Sequence, residues 1–136
     1  MPSREVPTPS SSDELFERAR SIAGRPLRWV AAELDVSVPP DLRRAKGWIG
    51  SLLESFLGAS AGSRAEPDFP HLGIELKSIP VDPMGRPRES TWVSTAPLDG
   101  SLSATWQDSW VRRKLSCVLW IPVVGEGSVP PGDRLV

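Results

Sequence analysis

Apolar residues first recur with helical spacing at Leu15, Phe16, Ala19 and Ile22, which together mark one face of a helix. Ser12 stands before this stripe as an N-cap, Asp13 and Glu14 place negative charge in the first turn, and Gly24 supplies a stop. Pro26 then opens a shorter helix running through Leu34, and residues 35–40 link it to the next. That third helix is the best marked. Trp48, Ile49, Leu52, Leu53, Phe56 and Leu57 form a broad apolar stripe, closed by Gly58. At about 100° per residue, Lys46, Gly50 and Glu54 fall in one row along its edge. A lysine and a carboxylate therefore share a ridge with only a glycine between them.

Beyond the turn-rich residues 59–70 the period changes from helical to two. Leu72, Ile74 and Leu76 point one way, and Gly73, Glu75 and Lys77 the other, which predicts a strand over 72–79. Pro80 is expected to close it, with a turn at Asp82-Pro83-Met84-Gly85. A second strand, about 91–96, is expected to return beside the first as a hairpin. A short helix near 106–115 leads into Ser116 to Val123, apolar throughout and so expected to be an internal strand covered on both faces. Trp29, Trp48, Trp106, Trp110 and Trp120 are expected in or near the core. The proline-rich, polar residues 1–11 are expected to be a disordered tail, leaving 12–136 as the folded part of an α/β protein.

The 136 residues allow one small domain. A lone cysteine, Cys117, excludes an internal disulfide framework and a cysteine zinc site. The longest apolar run, Cys117 to Val124, is far too short to cross a membrane. Residues 1–12 hold no apolar signal-peptide core, and a cytoplasmic location is the simple expectation. The net charge of -1 is awkward for a protein that binds a polyanion, which favours basic surface. A cluster of carboxylates kept for a metal ion would lower the net charge without weakening binding once the ion is present.

Such a cluster is legible in Glu66-Pro67-Asp68-Phe69-Pro70-His71-Leu72-Gly73-Ile74-Glu75-Leu76-Lys77. An aspartate lies at a turn before a strand, and Glu-x-Lys lies on one face of that strand. Mg²⁺ takes hard oxygen ligands and keeps several waters, so one or two carboxylates and a substrate phosphate suffice to hold it. Asp68 and Glu75 can supply those carboxylates, with Glu54 reaching the same ion or a second one from the preceding helix. Lys77 can hold or deprotonate the attacking water. Burial would lower its pKa and the carboxylates would raise it, so its protonation state stays open. Each piece alone is bland: Glu75 and Lys77 are an ordinary solvated strand face, Glu54 a helix-edge charge, Pro67-Asp68 a turn. His71, the only histidine, reads as a surface residue.

Taken together, these stretches resemble the MutH family of mismatch-repair endonucleases. The likeness runs through Lys46-Gly47-Trp48-Ile49-Gly50, Leu53-Glu54, residues 57–63, Glu66-Pro67-Asp68-Phe69, residues 72–82 and Gly85-Arg86-Pro87, then through 111–115 and 118–123. The resemblance implies a restriction-endonuclease-like fold, a mixed sheet flanked by helices, with a C-terminal truncation relative to the family. It implies a nickase that cuts the unmethylated strand of double-stranded DNA at hemimethylated GATC sites, activated by MutL with MutS upstream. Mg²⁺ would be the cofactor, with Mn²⁺ a substitute. Glu54, Asp68, Glu75 and Lys77 match the family's active-site residues, and Lys46 and Lys114 match lysines near the DNA backbone. Trp92 matches an aromatic that approaches the recognition site, while Arg86 and Arg88 are weaker matches for phosphate contacts. Two alternatives share these residues: a GATC-specific type II restriction endonuclease, and a catalytically inert fragment that binds DNA or MutL.

Overall fold

A computed structural model describes residues 4–43, 47–88, 116–125 and 129–136. Three helices and two strands follow one another: α1 Ser12–Ile22, α2 Leu27–Glu33, α3 Trp48–Leu57, β1 Glu75–Val81 and β2 Val118–Val124, with a short 3-10 turn at Pro131–Asp133. The N-cap of α1 is Ser11, one residue before the expected Ser12. Its hydroxyl accepts from the Glu14 N–H at 3.2 Å. Glu14 reaches back to the Ser10 N–H and hydroxyl at 2.7 Å each, a reciprocal cap. Glycines with positive φ flank α3: Gly47 at 81° and Gly58 at 83°. The helix therefore starts at Trp48, and Gly50 and Glu54 of the ridge read from the sequence lie on it. Lys46 lies outside the described residues.

Residues 4–11 do not form the free tail that their composition predicts. Pro9 is fully buried, and Val6 packs on the core. Polar composition failed as a guide because proline has no backbone N–H to satisfy when it is buried, and the Pro9 carbonyl finds its partner in the His71 ring.

β1 and β2 pair in parallel, with Glu75 opposite Val118, Lys77 opposite Trp120 and Val81 opposite Val124. β1 begins three residues later than its alternation suggests. Pro70 to Gly73 form a tight turn instead, with bonds from Leu72 N to Phe69 O (3.0 Å) and Gly73 N to Pro70 O (3.2 Å). Pro80 does not end the strand. Its carbonyl accepts from Arg88 N at 2.9 Å, so the residue serves the ladder as an acceptor where no donor is required. Val81 and Pro87 form an antiparallel bridge, so the chain has already turned back by residue 88. The expected strand over 91–96 and helix over 106–115 lie outside the described residues, as do Trp106 and Trp110.

The core gathers Leu15, Ile22, Leu27, Val30, Leu53 and Leu57 of the helices onto Leu76, Ile121 and Val123 of the sheet. One face of β2 is thus covered. The other is not: Trp120 is 46% exposed and Pro122 is exposed, against the expectation of a strand buried on both faces and of Trp120 near the core. An apolar residue on the outward face hid the period of two. Trp29 and Trp48 do pack against the core. At the sheet's end, Leu135 bridges both Val124 and Pro26, and Gly24 N donates to Val136 O at 2.8 Å. These bonds tie the α1–α2 corner to β2.

Candidate functional site

Where the backbone of β1 sends its hydrogen bonds decides where Asp68 sits. Glu75 N donates to Cys117 O at 2.9 Å, toward β2. The next N–H, on Leu76, therefore points to the opposite edge. There it meets Asp68, whose Oδ2 accepts it at 2.8 Å. A reciprocal pair between Phe69 and Ile74 (N to O 2.9 and 3.3 Å) folds the aspartate's segment back along the strand. The Asp68 carbonyl in turn accepts from Ser60 N at 3.0 Å and Ala61 N at 3.3 Å. Asp68 thereby lies beside Leu76, the residue between Glu75 and Lys77, whose side chains share one face of β1.

Glu54 comes to the same place from α3. Its pKa is raised from 4.5 to about 7, first by burial, then by the negative charges of Asp68 and Glu75, with Lys77 pulling the other way. Glu54 therefore feels the charge of the other three. Glu75 is the most enclosed at 7% exposure, and its Oε2 atom is shut off from solvent. Lys77 is half-buried. A Cβ built on Gly50 would meet nothing within 4 Å, so the ridge beside Glu54 is open to approach.

This donor set consists of carboxylate oxygens under mutual repulsion, which suits a hard divalent cation. Among the described residues, no three His, Cys, Asp or Glu side chains come close enough to cage an ion. His71 is exposed, and its ring nitrogen donates to Pro9 O at 2.6 Å.

Of the remaining candidates, the described Arg86 stands apart from this cluster. Arg86 is beyond the far end of β1, roughly 20 Å along a strand rising about 3.3 Å per residue. Its Nε donates to Asp82 Oδ2 at 2.8 Å. Asp82 Oδ1 also accepts from Met84 N at 2.9 Å and Arg86 N at 3.0 Å, and these bonds hold its carboxyl below the usual range. Lys46, Trp92 and Lys114 lie outside the described residues. The sequence reading missed the Ser60 and Ala61 amides that hold the Asp68 carbonyl; backbone donors leave no mark in side-chain identity.

Residues 57–136 match the family described as DNA mismatch repair enzyme MutH. Relatives include the DNA mismatch repair protein MutH of Vibrio cholerae serotype O1 (strain M66-2), 55% identical over 130 residues that cover 96% of this chain and 59% of that protein. The protein of the same name from Histophilus somni (strain 2336) is 56% identical over 128 residues, covering 94% and 57%. That from Serratia proteamaculans (strain 568) is 52% identical over 130 residues, covering 96% and 57%. The chain thus spans a little under three fifths of the length of these relatives.

Proposed function

The chain belongs to the MutH family, and from that premise we propose that it is a Mg²⁺-dependent, sequence-specific DNA endonuclease of methyl-directed mismatch repair. Its substrate would be double-stranded DNA, nicked on the unmethylated strand at hemimethylated GATC sites. MutL would activate it, with MutS upstream. The proposal extends to a restriction-endonuclease-like mixed sheet flanked by helices and to work on DNA in the cytoplasm; among the described residues, no helix is long and apolar enough to cross a membrane.

The observation that carries the reading is the meeting of Glu54, Asp68, Glu75 and Lys77 beside an open ridge. Asp68 and Glu75 would hold Mg²⁺, with Glu54 close enough to feel their charge. When bound, the ion lowers the pKa of water and neutralises charge developing on phosphate. The residues of the chain do the rest. Asp68, fixed by Leu76 N, presents its other carboxylate oxygen in a set direction. Glu75 is buried on its side of the site. Lys77 reaches the same face and would orient the attacking water or the phosphate. Glu54, with a pKa near neutrality, can take up a proton there.

A nicking assay on hemimethylated GATC duplex in Mg²⁺, with and without MutL, tests this. We expect MutL-stimulated nicking of the unmethylated strand that is abolished in Asp68→Ala and Lys77→Ala. Double-strand cutting of unmethylated plasmid without MutL would favour the restriction enzyme. Binding with no cutting in any divalent metal would favour the inert fragment.

A further inference from the structure

The segment that carries Asp68 is gripped at both of its ends by the N-terminal residues. At the upstream end, Arg18 Nη1 donates to the carbonyl of Pro7 and, at 3.1 Å, to that of Leu57. One guanidinium thus ties the N-terminal segment to the last residue of α3. Glu14 holds the same guanidinium at 2.7 Å, and the Arg18 side chain is only 21% exposed. Gly58 follows directly, pressed so closely that a Cβ there would stand 2.5 Å from Pro7 O. At the downstream end, the His71 ring donates to Pro9 O at 2.6 Å, and Pro9 itself is fully buried. Between these anchors run residues 58–71. Within them Asp68 is held by main-chain and edge contacts: Ser60 N and Ala61 N on its carbonyl, Leu76 N on its carboxylate.

A loop of this length has many conformations open to it, and fixing its two ends removes most of them. We propose that residues 6–11 form a strap that positions the Asp68 carboxylate, acting through Arg18 at the start of the 58–71 segment and through His71 at its end. The inference rests on the reading of Asp68 as a metal ligand. Arg18 and His71 are positioning residues; neither is placed at the site. Groups that hold a ligand from behind commonly change metal affinity by about 10- to 100-fold when removed.

The test uses the full chain with Arg18→Met and His71→Ala, singly and together. Two quantities are read: backbone amide hydrogen exchange, and the affinity for Mn²⁺ alone by calorimetry. Exchange at Ser60, Ala61 and Leu76 should speed up about tenfold or more in the double variant. Exchange at Glu75, which bonds across the ladder to Cys117, should not. Mn²⁺ affinity should fall by about tenfold or more. His71→Gln, which keeps a donor within reach of Pro9 O, should restore most of both. A merely structural role would loosen Glu75 and the Asp68-linked amides alike. If Mn²⁺ binds the double variant as tightly as the parent, with the three amides still protected, the strap inference alone is overturned. If the parent chain binds no Mn²⁺, the ligand reading fails and the inference falls with it.

Discussion

Replacing Glu54 by glutamine removes a charge and keeps the side chain's shape, which isolates the electrostatic cost of bringing the carboxylates together. The folded pKa of about 7 lies above the ordinary 4.5. The folded protein therefore holds the proton more tightly than the unfolded chain, and between these values stability falls as pH rises. Below the lower value both states are protonated and the cost is absent; above the upper value it is complete. The whole shift corresponds to roughly 3 kcal/mol at 1.36 kcal/mol per unit. Glu54 is only half-buried, and solvent screening reduces that to on the order of 1 kcal/mol. Urea unfolding without divalent metal, followed by tryptophan fluorescence, should show Glu54→Gln about 1 kcal/mol more stable than the parent at pH 8. At pH 5 the advantage should shrink to about a quarter of that. Adding Mg²⁺ should erode it at pH 8, since a cation relieves the same repulsion. A variant destabilised equally at both pH values would refute the reasoning, because it would show Glu54 acting as packing and hydrogen bonding rather than as a strained charge.

Three further expectations come from particular contacts. Mg²⁺ should raise the thermal midpoint of the parent, and Asp68→Ala should lose that rise; an undiminished rise would place the responding site elsewhere. Leu53→Ala empties a position at 0% exposure in the middle of the core and should cost about 2–5 kcal/mol in urea unfolding, with under 1 kcal/mol refuting its place there. Gly58→Ala forces a side chain into positive φ and within 2.5 Å of Pro7 O, so it should cost about 1–3 kcal/mol and expose Pro9 to proteolysis of the strap; a neutral effect would mean that the strap does not press on Gly58.

What the sequence made legible was whatever a period or a cap could signal. The stripe from Trp48 to Leu57 gave α3 within a residue, because six apolar side chains at helical spacing have one common face to bury. Glu75 and Lys77 were correctly read to one face, since a period of two is set by the pleat and not by the partner strand. Errors arose where tertiary contacts override local pattern. Leu72 and Gly73 continue the alternation of β1, yet Gly73 takes φ of 66° and the Phe69–Ile74 pair bends the chain into a turn. That bend brings Asp68 to the edge of β1. Nothing in the identities of residues 59–67 announces the amides that hold it, and nothing in the polar N-terminus announces Pro9 in the core. Convergence at the site is therefore a property of the backbone path between Leu57 and Glu75, whereas the chemistry offered there is a property of four side chains. Side-chain identity could name the hard oxygen donors and the lysine on offer. The turn at 70–73, the amides that hold the Asp68 carbonyl and the anchors at either end of the segment decide where Asp68 sits, and a family relative with the same four residues but a different loop path would keep the motif without the site.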